Sequence, residues 1–189
     1  MLNKSISTYI IIGGKSSRMG TDKANFNFGN KSFLKHIIDA VKPITSVINL
    51  VSSLNQHQNL GYRVINDLEN DKGPVCGITS GLSDSNTEMN IILSCDIPFI
   101  KTNLLNWLLK QHSNSYDATI ISSDDKKMPL IGIYNTTCKT VFNTHLINGQ
   151  LKLMHVLNDI KINVVEVPEK WKKQVSNINT VEQLNVLQA

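Results

Sequence analysis

Residues Tyr9 to Lys23 read Y-I-I-I-G-G-K-S-S-R-M-G-T-D-K. This stretch constrains the chain more than any other. An apolar, β-branched run of the kind that forms a buried strand meets two consecutive glycines, Gly13 and Gly14. Small hydroxyl residues and a third glycine, Gly20, follow, with Lys15, Arg18 and Lys23 spaced among them. Glycine lets the backbone turn with positive φ and approach a ligand closely. Successive N–H groups in such a turn form an anion-binding concavity, and lysine and arginine suit phosphate. The pattern predicts a triphosphate loop after the first strand of an α/β domain. Taken alone, Gly13-Gly14 also fits a plain strand-to-helix turn, and Ser16 or Ser17 also fits a helix cap.

Two common phosphate motifs do not match. A Walker loop needs G-x-x-x-x-G-K-[ST], and here Gly20 is followed by Thr21-Asp22. A dinucleotide fingerprint needs G-x-G-x-x-G, and here the first two glycines are adjacent. Downstream, the apolar run Ile91-Ile92-Leu93 leads to Asp96, and Val64-Ile65 leads to Asp67. In an open parallel sheet, ligands collect at the carboxyl ends of the strands, so both carboxylates are predicted to share an edge with the glycine loop. Asp96 suits a hard cation such as Mg²⁺, or else caps a helix beginning near Asn103. Asp67 suits paired N–H donors of a base, or else opens a polar turn through Asp71.

The sequence between these points alternates strands and helices. Strands are predicted at Tyr9–Ile12, Val47–Val51, Tyr62–Ile65, Asn90–Leu93, Ala118–Ile121, Leu130–Tyr134 and Ile162–Val167. Helices are predicted after Ser32, over Val75–Leu82, Leu104–Leu109, Val141–Leu146 and Leu151–Leu157, and over Val181–Leu187. Pro43 marks the end of the first helix, and Ser122 to Lys127 form a polar turn. The expectation is a three-layer, Rossmann-like α/β fold with a mostly parallel sheet. With 189 residues and no Pro/Gly-rich linker, residues 1–189 are expected to form a single domain.

Composition excludes several classes. No apolar run approaches the roughly 18 residues a membrane helix needs. The polar start, Met1 to Thr8, lacks the features of a secretory signal. Cys76, Cys95 and Cys138 are odd in number and lack C-x-x-C spacing, which suits reduced thiols in a cytoplasmic protein. The net charge of +4 is dispersed, without a stacking platform of aromatics, so no nucleic-acid partner is expected. The five histidines are scattered without metal-ligand spacing.

Five ordered segments carry a family resemblance. I-I-G-G-K-S-S-R-M-G-T-D-K resembles the nucleotidyltransferase signature of the molybdenum cofactor guanylyltransferase family, roughly L-A-G-G-x-S-x-R-M-G-x-D-K, with Ile11-Ile12 in place of Leu-Ala. Asp67 followed by Gly73-Pro74-Val75-Cys76-Gly77 resembles the family's aspartate and G-P-L-A-G. Ser94-Cys95-Asp96-Ile97-Pro98-Phe99 resembles C-D-x-P-F, and Pro129 to Tyr134 resembles P-x-x-A-L-Y. Asn177-Ile178-Asn179-Thr180 with Glu182 resembles N-I-N-T-P-E-D-L, with Val181 in place of the proline.

The resemblance implies transfer of GMP from GTP to the molybdenum-loaded molybdopterin cofactor, giving the guanine dinucleotide and pyrophosphate. It implies nucleotide contacts at Ile11, Ile12, Gly13, Gly14, Lys23, Ser52, Asp67 and Asp96, and catalytic roles for Arg18, Lys23 and Asp96. Ser52 stands where the family has an asparagine. Mg²⁺ is expected on Asp96, and Asn177 and Asn179 are expected to hold the pterin acceptor. Protein partners would be transient, either those that load the cofactor or the molybdoenzymes that receive it. Three other readings stay open. They are a cytidylyltransferase for the same cofactor, a sugar-phosphate nucleotidyltransferase (which usually reads G-x-G-T-R), and a non-catalytic nucleotide-binding carrier.

Overall fold

A computed structural model describes residues 6–12, 23–52, 60–68 and 73–188. The strands are β1 (Ile6–Ile11), β2 (Asn27–Phe28), β3 (Lys31–Ser32), β4 (Val47–Ser52), β5 (Arg63–Asn66), β6 (Met89–Ser94), β7 (Ala118–Ser123), β8 (Lys126–Asn135) and β9 (Ile162–Glu166). The α-helices are α1 (Phe33–Val41), α2 (Gly73–Asp84), α3 (Thr102–Gln111), α4 (Lys139–Ile147), α5 (Leu153–Asn158) and α6 (Val181–Gln188). Seven strands form one sheet in the order β5-β4-β1-β6-β8-β7-β9. Only β8 runs against its neighbours, pairing antiparallel with β6 and β7, so the expected mostly parallel sheet is observed. The strands β2 and β3 form a separate small hairpin.

The sheet is buried on both faces, as parallel sheets are. Ile10 of β1 and Ile12 just past it join a core with Leu34, Ile37 and Ile38 of α1 and Leu104, Leu105 and Leu108 of α3. Tyr9 and Ile11 join a second core with Val75, Ile78 and Leu82 of α2, Phe142 of α4 and Val156 of α5. The period-2 alternation of a strand thus divides one apolar run between two helical layers. Ser32 caps α1 as expected: it is extended at φ −72°, and its hydroxyl accepts from the Lys35 N–H at 3.2 Å.

Two glycines of α2 explain how closely that helix lies on β1. A Cβ on Gly77 would come within 3.0 Å of Ile11, and one on Gly81 within 2.9 Å of the Tyr9 ring. Spaced four apart, these glycines form one face of the helix. The close docking is reinforced at the far end, where Arg63 grips Asp84 with two bonds of 2.8 and 2.6 Å.

The polar turn expected over Ser122 to Lys127 is much shorter. Both strands continue through it, and only Asp124 and Asp125 turn, at φ 52° and 61°. Positive φ at both central residues is the two-residue hairpin geometry whose twist matches the strands. The Asp124 N–H donates to Glu166 at 2.9 Å, and Lys172 pairs with the Asp124 carboxylate at 2.7 Å. Register shifts between Ile120 and Ile121 leave Pro129 in an irregular stretch of β8, where its missing N–H breaks no ladder bond. The Tyr134 hydroxyl donates back to the Pro129 carbonyl at 2.8 Å.

Candidate active site at the carboxyl edge of the sheet

The order of the strands reverses between β1 and β6. One chain direction builds outward through β4 and β5, and the other through β6. The crevice outside the carboxyl ends at such a switch point is where open α/β sheets bind ligands. Ile11 is in register with Ser94 on one side and Val51 on the other. Just past the ladders, the Cys95 N–H donates to the Ile11 carbonyl at 3.1 Å, and the Ile12 N–H donates to the Val51 carbonyl at 2.8 Å. Backbone bonds therefore fix the point from which the chain departs into Gly13.

Four of the residues singled out in the sequence line this edge, in the order Asp67, Ser52, Ile12, Asp96 across β5, β4, β1 and β6. From Asp67 to Asp96 is three interstrand steps, about 14 Å. Ile11 and Ile12 are both core residues, at 8% and 2% exposure. The Ile12 side chain joins the core on the α1 side with Ala24 and Leu34, so isoleucine in place of the family's alanine adds volume to that core. Ser52 is buried, and its carbonyl accepts from the Asp67 N–H at 3.4 Å.

Asp67 is half-buried. Its Oδ1 is a buried acceptor with no hydrogen-bond partner among the described residues. Loss of water around the carboxylate raises its pKa to about 6. A native protein seldom leaves such an atom unsatisfied without a functional reason, and an incoming donor pair is one.

Asp96 follows β6 by two residues. The Ser94 hydroxyl donates to its Oδ1, which orients the carboxylate. Among the described residues no cluster of three or more His, Cys, Asp or Glu could hold a metal. One oriented carboxylate fits Mg²⁺, which is commonly held by one or two carboxylates together with substrate phosphates. The Asp96 carbonyl also accepts from the Ile178 N–H at 2.8 Å. That bond ties the C-terminal segment to the end of β6 and brings exposed Asn177 and half-buried Asn179 beside Asp96.

The C-terminal segment is held by three further features. Ile178 is fully buried against Phe33 and Leu184, with Phe26, Phe28 and Phe99 packed around them. Phe99 meets Phe28 edge-on with ring centres 5.1 Å apart. Thr180 and Gln183 form a capping pair at the start of α6. The Thr180 hydroxyl accepts from the Gln183 N–H at 3.2 Å, and the Gln183 amide oxygen accepts from the Asn179 N–H at 2.7 Å. This accounts physically for a threonine three residues before a glutamine, and it fixes the backbone of Asn179.

Lys23 opens a short 3-10 turn, Lys23–Asn25, whose Ala24 is fully buried. Gly13, Gly14 and Arg18, with the rest of the signature loop, lie outside the described residues. Two contributors had no role assigned from the sequence: Ser94, quoted only as the start of the Ser94–Phe99 segment, and Ser80. The Ser80 hydroxyl accepts from the Leu68 N–H, next to Asp67. Serines in apolar runs carry no distinctive spacing, so nothing in the sequence pointed to a hydrogen-bonding role for either.

A second concavity of about 720 Å³ lies at the opposite edge of the sheet, lined by Thr87, Glu88, Asp117, Asn135 and Lys139 among others. It is remote from the switch point. The buried amide beside it, Asn90, is engaged by Tyr134, Thr136 and Ser85 and so serves the fold.

Comparison with known proteins bears on the family and the fold. Residues 8–162 match the MobA-like NTP transferase domain. The chain is 39% identical over 184 residues to a Flavobacterium johnsoniae protein described as a probable molybdenum cofactor guanylyltransferase, covering 97% of each. It is 31% identical to a Yersinia pestis molybdenum cofactor guanylyltransferase, covering 95% of this chain and 93% of the other. Among solved structures, molybdopterin-guanine dinucleotide biosynthesis protein A from Archaeoglobus fulgidus has the same fold, with a TM-score of 0.81 at 22% identity over 96% of both chains.

Proposed function

From the premise that the chain belongs to the MobA-like NTP transferase domain family, we propose that it is a guanylyltransferase. It transfers GMP from GTP to the molybdenum–molybdopterin cofactor, forming the guanine dinucleotide and releasing pyrophosphate. Residues 1–189 act as one nucleotidyltransferase domain, with the nucleotide on the N-terminal part and the acceptor on the C-terminal third.

An oxygen of the acceptor's terminal phosphate attacks the α-phosphorus of GTP. The new P–O bond forms as the bond to the bridging α–β oxygen breaks, and that oxygen leaves with pyrophosphate. The nucleophile is already an anion, so no strong general base is needed, and catalysis rests on positioning and charge neutralisation. Lys23 neutralises charge developing near the α-phosphate. Arg18 and the Gly13-Gly14 backbone hold the leaving pyrophosphate. Asp67 accepts from the guanine N1–H and exocyclic amine, while Ile11, Ile12 and Ser52 position the nucleoside through main-chain groups. Asn177 and Asn179 supply amides to the pterin. Asp96 is the residue that would hold a divalent cation, which we take to be Mg²⁺; when bound, it supplies charge neutralisation on the triphosphate.

The observation that carries this reading is the position of Asp96. It stands at the switch point one residue beyond the Cys95–Ile11 bond, with its carboxylate oriented by Ser94 and its carbonyl joined to the acceptor-side segment. No helix among the described residues is long and apolar enough to cross a membrane. The cytoplasm, where GTP is available, is the compartment we propose.

The test is acceptor-dependent pyrophosphate release. GTP with molybdopterin should support it, and CTP, ATP and sugar phosphates should not. Release with CTP in preference to GTP would replace this reading with the cytidylyl one. Nucleotide binding without release would leave a non-catalytic carrier.

A further inference from the structure

We infer that Ser80, on α2, is a positioning residue for base recognition. It holds the chain after Asp67 so that the buried carboxylate oxygen stays aimed at the base edge. This deepens the guanylyl reading and rests on Asp67 contacting the base.

Among the described residues, few other restraints act on Asp67 as it leaves the end of β5. Its own N–H reaches the Ser52 carbonyl at a long 3.4 Å. The next residue, Leu68, has an exposed side chain and so gains little anchorage from packing. The firm tether is the 3.0 Å bond from the Leu68 N–H to the Ser80 hydroxyl oxygen. Ser80 can accept there because its own proton is committed elsewhere, donating to the Cys76 carbonyl one helical turn back at 2.9 Å. A serine hydroxyl has one donor and two acceptor sites, so both bonds coexist. Ser80 is 2% exposed and stands on the turn of α2 between Gly77 and Gly81, where the helix lies so close to β1 that no Cβ would fit without displacing Ile11 or Tyr9.

A chain held on both sides of Asp67 preorganises an acceptor that finds no other partner among the described residues. Removing the tether lets the carboxylate relax towards water. The consequence falls on a ligand that needs the carboxylate's two acceptors together, and guanine needs them. Cytosine offers an exocyclic amine without a neighbouring ring N–H, so its binding is indifferent to the tether.

The experiment is a titration of GTP and of CTP against the full-length wild type, Ser80→Ala, Asp67→Ala and the double variant, with thermal melting of each. Alanine fits the space and favours helix, so the fold is retained. Ser80→Ala should weaken GTP about fivefold, the weight of one neutral hydrogen bond, and leave CTP within about twofold. In the Asp67→Ala background, Ser80→Ala should have no further effect on either nucleotide. Equal weakening of GTP and CTP, an undiminished effect in the double variant, or no effect at all would overturn the positioning role while Asp67 keeps its own. If Asp67→Ala leaves the preference for GTP unchanged, the base-contact reading fails, and the role of Ser80 falls with it.

Discussion

The Ile178 N–H donates to the Asp96 carbonyl at 2.8 Å, joining the C-terminal segment to the residue proposed to act on the triphosphate. Because this bond uses the main chain of both residues, it leaves the Asp96 carboxylate oriented by Ser94. The proposed acceptor side and the proposed nucleotide side are therefore joined through one main-chain bond. Asn177→Ala should raise KM for the pterin acceptor while leaving the Kd for GTP unchanged. A matched loss in both would place Asn177 in the nucleotide half.

Asp96→Asn keeps the size of the side chain and the main-chain bond to Ile178. It should reduce turnover by at least ~10²-fold, as loss of a transition-state electrostatic contact does, with a melting temperature close to that of the wild type. Single-turnover GMP transfer at near wild-type rate would remove Asp96 from the chemistry.

Lys23→Ala separates ground-state from transition-state binding. If the amine acts on charge that develops during transfer, the rate constant should fall ~10²–10³-fold, with GTP affinity changed far less. Equal losses in the two would make Lys23 a simple phosphate anchor.

Asp67 links recognition to pH. Its folded pKa is raised to about 6, above the unfolded value, so the folded state favours the protonated form. The ionised carboxylate therefore costs stability above pH about 6, and that cost disappears as pH falls towards the unfolded value of about 4. Asp67→Asn should stabilise the protein at pH 7.5 by about 1 kcal/mol after allowance for partial exposure, with the gain vanishing near pH 4. GTP preference should move the opposite way, weakening in the wild type as pH drops through 6. Calorimetric melting and GTP titration across pH 4.5–8 would check both, and a pH-independent difference between the two proteins would contradict the assignment.

Gly81→Ala tests the docking of α2. Its Cβ would meet the Tyr9 ring at 2.9 Å, closer than real Cβ contacts allow, and the ring is held in the core. Overpacking of this kind costs about 1–3 kcal/mol. Denaturant unfolding should show it, and a variant as stable as the wild type would mean that α2 can lift from β1 freely.

Much of this architecture was legible in the residues. The alternation of apolar runs and helical faces gave the layers, and the runs ending in Asp67 and Asp96 placed both carboxylates on one edge. Ser32 capped its helix as its type suggested. Less legible were features set by partners distant in the chain. The reach of β8 depends on pairing with both β6 and β7, and its Pro129 and short Asp124-Asp125 turn hid its true length. The hairpin of β2 and β3 is only two residues per strand, too short for a period to show, and aromatic packing of Phe26 and Phe28 against Phe33 and Phe99 stabilises it. The tether from Ser80 to Leu68 joins residues twelve apart through a side chain with no sequence signature.

Guanylyl transfer itself is tested most directly by following label from GTP into product. With GTP labelled at the α-phosphorus and molybdopterin as acceptor, label should appear in a pterin dinucleotide, and γ-label should appear only in pyrophosphate. Asp96→Asn should abolish both transfers. Label entering the dinucleotide from CTP but not GTP, or γ-label found on the acceptor, would contradict the account.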